Sequence, residues 1–327
     1  MSEAVGKKRK SSDSGEDWGP KKMRTMSSAM EKLFNNDQCI RAIIAFLPLE
    51  DLAIVSSLSH SLKDNADIVF RTVHNGFIKL DYGAEHFSKQ QIVFRQFGSL
   101  ASRVELDMIA KNRGDDNIFH DDTNKVLRTI GHFCGANLKD LTLRGMMIDL
   151  SSSFFSAKDR AEIIQLLAML TKISLMHVCI KSRFLAWARS VQELMIHSSC
   201  HAETLPEITV LPQLKVFSIG ACPTWPMVAG DELKEFLRDN RSIEKVDYHF
   251  IVKGDGHLES ICSLPKLTHL EIILLNCDDE DLSSFAIARK LKKLVVHALR
   301  CHGKLSALQR LLPSDCEITI KDDDDID

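Results

Sequence analysis

Apolar residues return along this chain in one short order, L-x-x-L-x-L. The order is clear in LKDLTL (138–143), LTKISL (170–175), VQELMI (191–196), LKVFSI (214–219), IEKVDY (243–248), LTHLEI (267–272) and LKKLVV (291–296). Weaker copies are NGFIKL (75–80), ASRVEL (101–106) and DCEITI (315–320). The last four copies start 24 residues apart, and wider gaps earlier imply loop insertions around 107–122 and 144–160. Side chains alternate along a strand, so each copy predicts a strand with its fourth and sixth positions facing a core. The third, fifth and seventh then face the opposite side.

Helix signals lie between the copies. Asp122 or Thr123 is placed to cap NKVLRTIGHF, and Ser156 leads into RAEIIQLLAML. Asp231 opens ELKEFLRDN, Asp279 opens EDLSSFAIARK, and Gly303 precedes KLSALQRLL. Each segment is short, with one apolar face. A strand-then-helix unit of this size buries too little alone, so neighbours must stack and share a core.

The stretch AIIAFLPLEDLAIVSSLSHSL (42–62) follows another period. Ile40, Ile43, Ile44 and Leu47 form one helical stripe; Leu49, Leu52, Val55 and Leu58 form a second, flanked by Ile54. Pro48 separates them, since proline suits a first helical turn and disfavours helix in the residue before it. So few helical residues seldom fold alone. The unit must lean on the rest of the chain, on a partner, or on both.

These segments resemble two known families. LPLEDLAIVSSLSHSLKDNAD (47–67) resembles the F-box, with Leu47, Pro48, Asp51, Leu52 and Ser56 at matching positions. Leu62 stands where that family has tryptophan, and Ser59 where it has cysteine. LPKLTHLEI and ARKLKKLVV are similar to leucine-rich repeats, and Cys222 falls where those repeats often carry asparagine or cysteine. The resemblance implies an α/β repeat solenoid, a leucine-rich-repeat horseshoe with an N-terminal all-α F-box-like helical unit. The expected divisions are a disordered basic tail (1–30), the F-box-like helices (31–72), the solenoid (73–320, irregular to about 137) and an acidic tail (321–327). The resemblance further implies a substrate receptor of a Skp–cullin–F-box ubiquitin ligase. It would touch the Skp-type adaptor, and through it a cullin, with Ile43, Ile44, Leu47, Pro48, Leu49, Leu52 and Val55.

Composition narrows the alternatives. The 327 residues are 44% hydrophobic with a net charge of −3, which suggests neither nucleic acid nor membrane as a partner. No run of 18 apolar residues predicts a membrane span, and the charged start predicts no secretory signal. Charge gathers at the ends. Lys7, Lys8, Arg9 and Lys10, then Lys21, Lys22 and Arg24, flank a ten-residue spacer, while five aspartates crowd 322–327. Two basic clusters so spaced suit an importin-type carrier, and hence the nucleus. Nine scattered cysteines without a C-x-x-C pair point to reduced thiols and no structural zinc.

No phosphate-binding glycine loop, nucleophile elbow or H-E-x-x-H appears, so the chain is read as a non-enzyme without cofactor or metal. His197, His249 and His297 share the seventh repeat position. Intervening repeats should hold them roughly 10 Å apart, too far to share a metal. The candidate substrate-facing residues are Arg144, Lys172, Met195, His197, Asp247, His249, His269, Glu271, Lys293 and His297, with Thr142 and Ser174 on the same side. Their mixed charge suits a protein or peptide better than nucleic acid. The rival reading is a nuclear leucine-rich-repeat scaffold with no ubiquitin role, its helices only capping the stack.

Overall fold

Each apolar copy becomes one strand, because its two inward side chains have nowhere to hide except against the next copy. A computed structural model describes residues 36–81, 87–108, 119–151, 154–180, 184–197, 210–220, 230–251, 256–275, 282–299 and 305–321. The basic clusters at 7–24, the acidic tail, and Cys222 lie outside these described residues. The chain opens with three helices, α1 (Asp37–Ile44), α2 (Leu49–Ser56) and α3 (His60–Thr72). Then come β1 (Phe77–Asp81), α4 (Phe87–Phe97), β2 (Arg103–Asp107), α5 (Phe119–Phe133), β3 (Asp140–Arg144), β4 (Met147–Ile148) and α6 (Ala157–Met169). β5 (Lys172–Met176), β6 (Cys179–Ile180), β7 (Glu193–His197), β8 (Val216–Gly220), α7 (Gly230–Asp239) and β9 (Lys245–Ile251) follow. The last elements are α8 (His257–Cys262), β10 (His269–Leu275), β11 (Lys293–Leu299), α9 (Leu305–Leu311) and β12 (Glu317–Lys321).

Ten of these strands form one parallel sheet in the order β1-β2-β3-β5-β7-β8-β9-β10-β11-β12. All ten are the predicted copies, and the third position of each pairs with the third of the next, from Phe77↔Arg103 to Lys293↔Glu317. The region expected to be irregular, up to about residue 137, keeps this register as well. The architecture is an α/β repeat solenoid.

From β1 to β11 every fourth and sixth position is at most 5% exposed, with Leu141, Leu175, Phe217 and Tyr248 as examples. They pack on the helical side; the Phe217 ring lies 4.7 Å from Phe236 of α7. β12 is the edge strand, so Ile320 at its sixth position is 43% exposed. The ladder also extends one residue before each strand. The Lys215 carbonyl, for instance, accepts from both Glu244 and Lys245 N–H, and the carbonyls of Lys139, Thr171, Gln192, Glu244 and Thr268 repeat that double acceptance.

The predicted caps fare unevenly. Ser156 caps α6 in a capping box with Asp159, whose carboxylate accepts from the Ser156 N–H. α5, by contrast, starts at Phe119, before the expected cap, and Thr123 is fully buried inside it. After Asp279 the described residues are helical at 282–283 and continue as a 3-10 turn, Ser284–Ile287. Leu282 and Phe285 of this segment are seated in the core. The short ladder β4–β6 was not foreseen. It follows the matched positions Gly145 and His177, both in the left-handed region (φ 64° and 53°), which redirect the chain alike in adjacent repeats.

The N-terminal helices are joined to this core. Asn36 caps α1 through its side chain, and Ser59 caps α3. Phe70 of α3 is fully buried and stacks on Phe97 of α4, ring centroids 4.6 Å apart. Asn65, also buried, donates to Asp37 Oδ1 at 2.9 Å and so fastens α3 to α1. Truncating a buried phenylalanine typically costs 3–5 kcal/mol. Phe70→Ala should therefore lower the stability of helices and first repeats together by about 3–5 kcal/mol. Urea unfolding followed by circular dichroism checks this; a variant losing only a few tenths would show that the helices hang free.

Candidate functional site

The sheet face opposite the helices carries positions three, five and seven of every repeat. Because strands lie about 4.8 Å apart, long side chains on one strand reach the next. Most charged residues of this face pair, either with the next strand or with the residue two along on their own strand. Glu105, only 7% exposed, takes Lys79 at 3.2 Å and Arg103 at 3.3 Å. Arg144 lies 3.8 Å from Asp107, Lys172 is 3.0 Å from Glu193, Lys245 is 3.1 Å from Asp247, and Lys293 is 4.0 Å from Glu317. The predicted substrate-facing residues thus share one face, but Arg144, Lys172, Asp247, Glu271 and Lys293 already hold neighbours. Thr142 and Ser174 share this face but are buried, at 5% and 3% exposure. Met195 is half-buried, and His269 is exposed and within 2.9 Å of the Thr268 hydroxyl.

The histidine column departs most from expectation. His197 and His249 ring centroids lie 5.4 Å apart, and His249 and His297 6.5 Å, well inside the roughly 10 Å set by backbone spacing. Two features close the gap. Gly220 sits between His197 and His249 in register. A Cβ there would meet His197 Nδ1 at 2.9 Å and His249 Cβ at 3.1 Å, so only glycine leaves room for both rings. The second feature is a bulge in β9. Ile272 pairs with Tyr248 but Ile273 with Ile251, so His249 and Phe250 have no partners on β10. A glycine between histidine-bearing copies was the available signal for the first; the bulge left none.

The ladder is fastened at both ends. His197 Nε2 is 2.8 Å from the Ser218 hydroxyl, and His297 Nε2 is 2.8 Å from Glu271 Oε1, which Lys321 also approaches at 3.5 Å. Burial holds the His197 imidazole down to about 4, and the neighbouring His249 pushes the same way. Burial also lowers His249; His297 and Lys245 act with it, while Glu271 and Asp247 oppose. For Glu271, burial pushes the carboxyl up. The His297 hydrogen bond and the charges of Lys321, His249 and His297 outweigh it and hold the carboxyl below its usual range. Among the described residues no group of three or more His, Cys, Asp or Glu is arranged to hold a metal ion. The buried thiols of Cys134 and Cys262 are pushed up to about 12 by burial, so they stay protonated and unreactive.

A second candidate surface lies on the N-terminal helices. Of the predicted adaptor contacts, Ile44 and Leu52 point inward, 5% and 0% exposed, and have no surface to offer. Leu47, Leu49 and Val55 are partly buried against the core, whereas Pro48 and Ile43 are exposed. Near the first two turns the exposed apolar side chains are instead Phe46 at 90%, Leu58 at 69%, Ile43 at 54% and Ile54 at 42%. They gather around the two turns between the helices. Phe46 falls one residue off the helical stripe, which is why the periodicity passed over it.

No protein-family model and no curated protein matches the chain. Among solved structures, the leucine-rich repeat-containing protein LegL7 from Legionella pneumophila is similar. The likeness has a TM-score of 0.43 at 15% identity, over 79% of this chain and 87% of that one.

The His197 geometry sets a pH dependence. The unfolded imidazole protonates near 6.5, the folded one only near 4, so the unfolded chain binds the extra proton between these values. This contribution to stability is present above about 6.5 and is lost as pH falls toward 4. The urea midpoint should therefore drop between pH 7 and pH 5, and drop less in His197→Gln, which keeps a partner for Ser218. Equal drops in both proteins would show that His197 is not held neutral.

Proposed function

We propose that this protein is a leucine-rich-repeat protein-interaction scaffold acting as the substrate receptor of a Skp–cullin–F-box ubiquitin ligase. The N-terminal helices would dock the Skp-type adaptor, and the open sheet face would hold a protein substrate. The protein would then break no bond itself; holding a substrate lysine near a conjugating enzyme raises its effective concentration. The observation that carries this reading is the exposed apolar set at the helix turns, above all Phe46 and Leu58. Exposed apolar patches mark interaction sites, and aromatic anchors supply most of the energy in protein interfaces. Fully burying a phenylalanine or leucine contributes roughly 1.5–3 kcal/mol, so two such anchors bring micromolar binding within reach once other contacts join.

The substrate role fits the open face. Its charges are mixed and closely spaced, so a partner must match an alternating pattern, which favours selectivity over raw affinity. Nuclear import through the clusters at 7–10 and 21–24 belongs to the same proposal. The second reading, a repeat scaffold whose helices only cap the stack, is favoured by one observation, the Phe70–Phe97 stack that ties α3 to the solenoid.

A pull-down with recombinant Skp-type adaptor separates the two. The wild type should bind at micromolar concentrations. Phe46→Ser with Leu58→Ser should weaken binding about tenfold or more while leaving the melting temperature unchanged, because both side chains are exposed. No adaptor binding by the wild type, or full binding by the variant, would overturn the ligase reading and leave the capped scaffold.

A further inference from the structure

We infer that the rim of the sheet at the N-terminal ends of β7 to β11 is a separate binding surface for an acidic protein segment. The inference does not depend on the adaptor reading, since it concerns another part of the molecule. The rim is built from one tight turn per repeat. In each, the N–H of the first repeat position bonds the carbonyl three residues earlier: Val191 to Ala188, Leu214 to Leu211, Ile243 to Asn240, Leu267 to Leu264 and Leu291 to Ala288. The two central residues of every turn project outward, and equivalent residues recur once per strand.

Charge on this rim has one sign. Across 188–192, 211–215, 240–244, 264–268 and 288–292 there are seven cations, Arg189, Lys215, Arg241, Lys266, Arg289, Lys290 and Lys292, against a single carboxylate, Glu244. All seven are exposed. Lys290 donates to the Pro265 carbonyl at 3.0 Å. The other six make no ion pair among the described residues, in contrast to the paired charges of the open face. Neighbouring strands are about 4.8 Å apart, inside the Debye length of about 8 Å at physiological ionic strength. The fields of successive cations therefore add, and a ligand with several closely spaced negative charges gains from all of them.

The rim also has a seat. An open cleft of about 690 Å³ between α7 and α8 is lined by Arg241, Ser260, Ser263 and Pro265, and by Asp231 and Glu235, whose carboxylates are paired with Lys234 at 3.5 Å and Arg238 at 4.0 Å. A second, of about 240 Å³, adjoins it through Ser263, Leu264 and Pro265 and is lined by Arg289 and Lys290, with the exposed Ile287 at its side. Arg241, Arg289 and Lys290 thus stand over two connected recesses. The turns between the cations carry Ser190, Pro212, Gln213, Ser242 and Pro265, with no aromatic ring for a base to stack on. That absence, and the paired recesses, favour a peptide over a nucleic acid. Five strands span about 19 Å, the length of roughly six extended residues, so the partner is a short acidic segment.

The test is fluorescence anisotropy with a labelled peptide of about eight alternating Asp and Glu residues, a length set by the span of the rim. Because the N-terminal clusters also attract acids, every protein is the full chain with Lys7, Lys8, Arg9, Lys10, Lys21, Lys22 and Arg24 changed to alanine. That background should bind the peptide with salt-sensitive, micromolar affinity. Adding Arg241→Glu and Arg289→Glu should weaken binding about tenfold or more, whereas the same charge change at Lys63 and Lys79 should leave it within about twofold. Undiminished binding by the rim variant, or equal loss in the Lys63/Lys79 variant, would overturn the inference. So would tighter binding of an oligothymidylate, or peptide binding that appears only after residues 322–327 are deleted, which would make the chain's own acidic tail the occupant.

Discussion

The shared burial of two apolar side chains per strand is the constraint from which the rest of this protein follows. No unit closes its own core: Leu141 and Leu143, or Leu270 and Ile272, become dry only when the next strand is added in matching register. A slip of one residue would turn every such side chain to the open face. The register is accordingly uniform from β1 to β12 apart from one bulge in β9. The cost of stacking is two uncovered ends. At one, β12 leaves Ile320 half in water; at the other, β1 lies beside helices whose Phe70 closes over Phe97.

The same stacking decides what the open face can be. Strands so close together leave little room, so residues there either pair with charged neighbours or are small and buried. Thr142, Ser174 and Ser218 are buried, and the lysines, arginines and carboxylates pair. Between His197 and His249 a third solution appears. A glycine is left bare, and two imidazoles lean over it, dry enough to stay neutral. At the outer turns six of the seven cations make no ion pair among the described residues, and Lys290 holds the Pro265 carbonyl.

Much of this was legible in the sequence. The L-x-x-L-x-L order located all ten long strands, and the period-3.6 stripes located the first helices and the break at Pro48. Those signals are strong because each repeats a burial requirement many times. What the sequence concealed depends on single local geometries. The bulge at His249 and Phe250 adds residues without altering the apolar order. The 3-10 turn at Ser284–Ile287 keeps one apolar anchor, Phe285, as a helix would. Ile44 and Leu52 are buried for a related reason: a helical stripe marks the side that packs inward, while the exposed Phe46 lies off the stripe and the exposed Leu58 lies past the end of α2.

The doubly accepting carbonyls before each strand carry a mechanical consequence. The hydrogen bonds of a parallel solenoid run along the stacking axis, so a pull between the N-terminal helices and β12 loads them one interface at a time. A globular sheet sheared along its strands resists with all its bonds together; this one opens like a zipper. The weakest interface yields first, and β12, with only one neighbour, is the natural starting point. Under tension the protein would lengthen by single repeats, each able to snap back onto the template left behind.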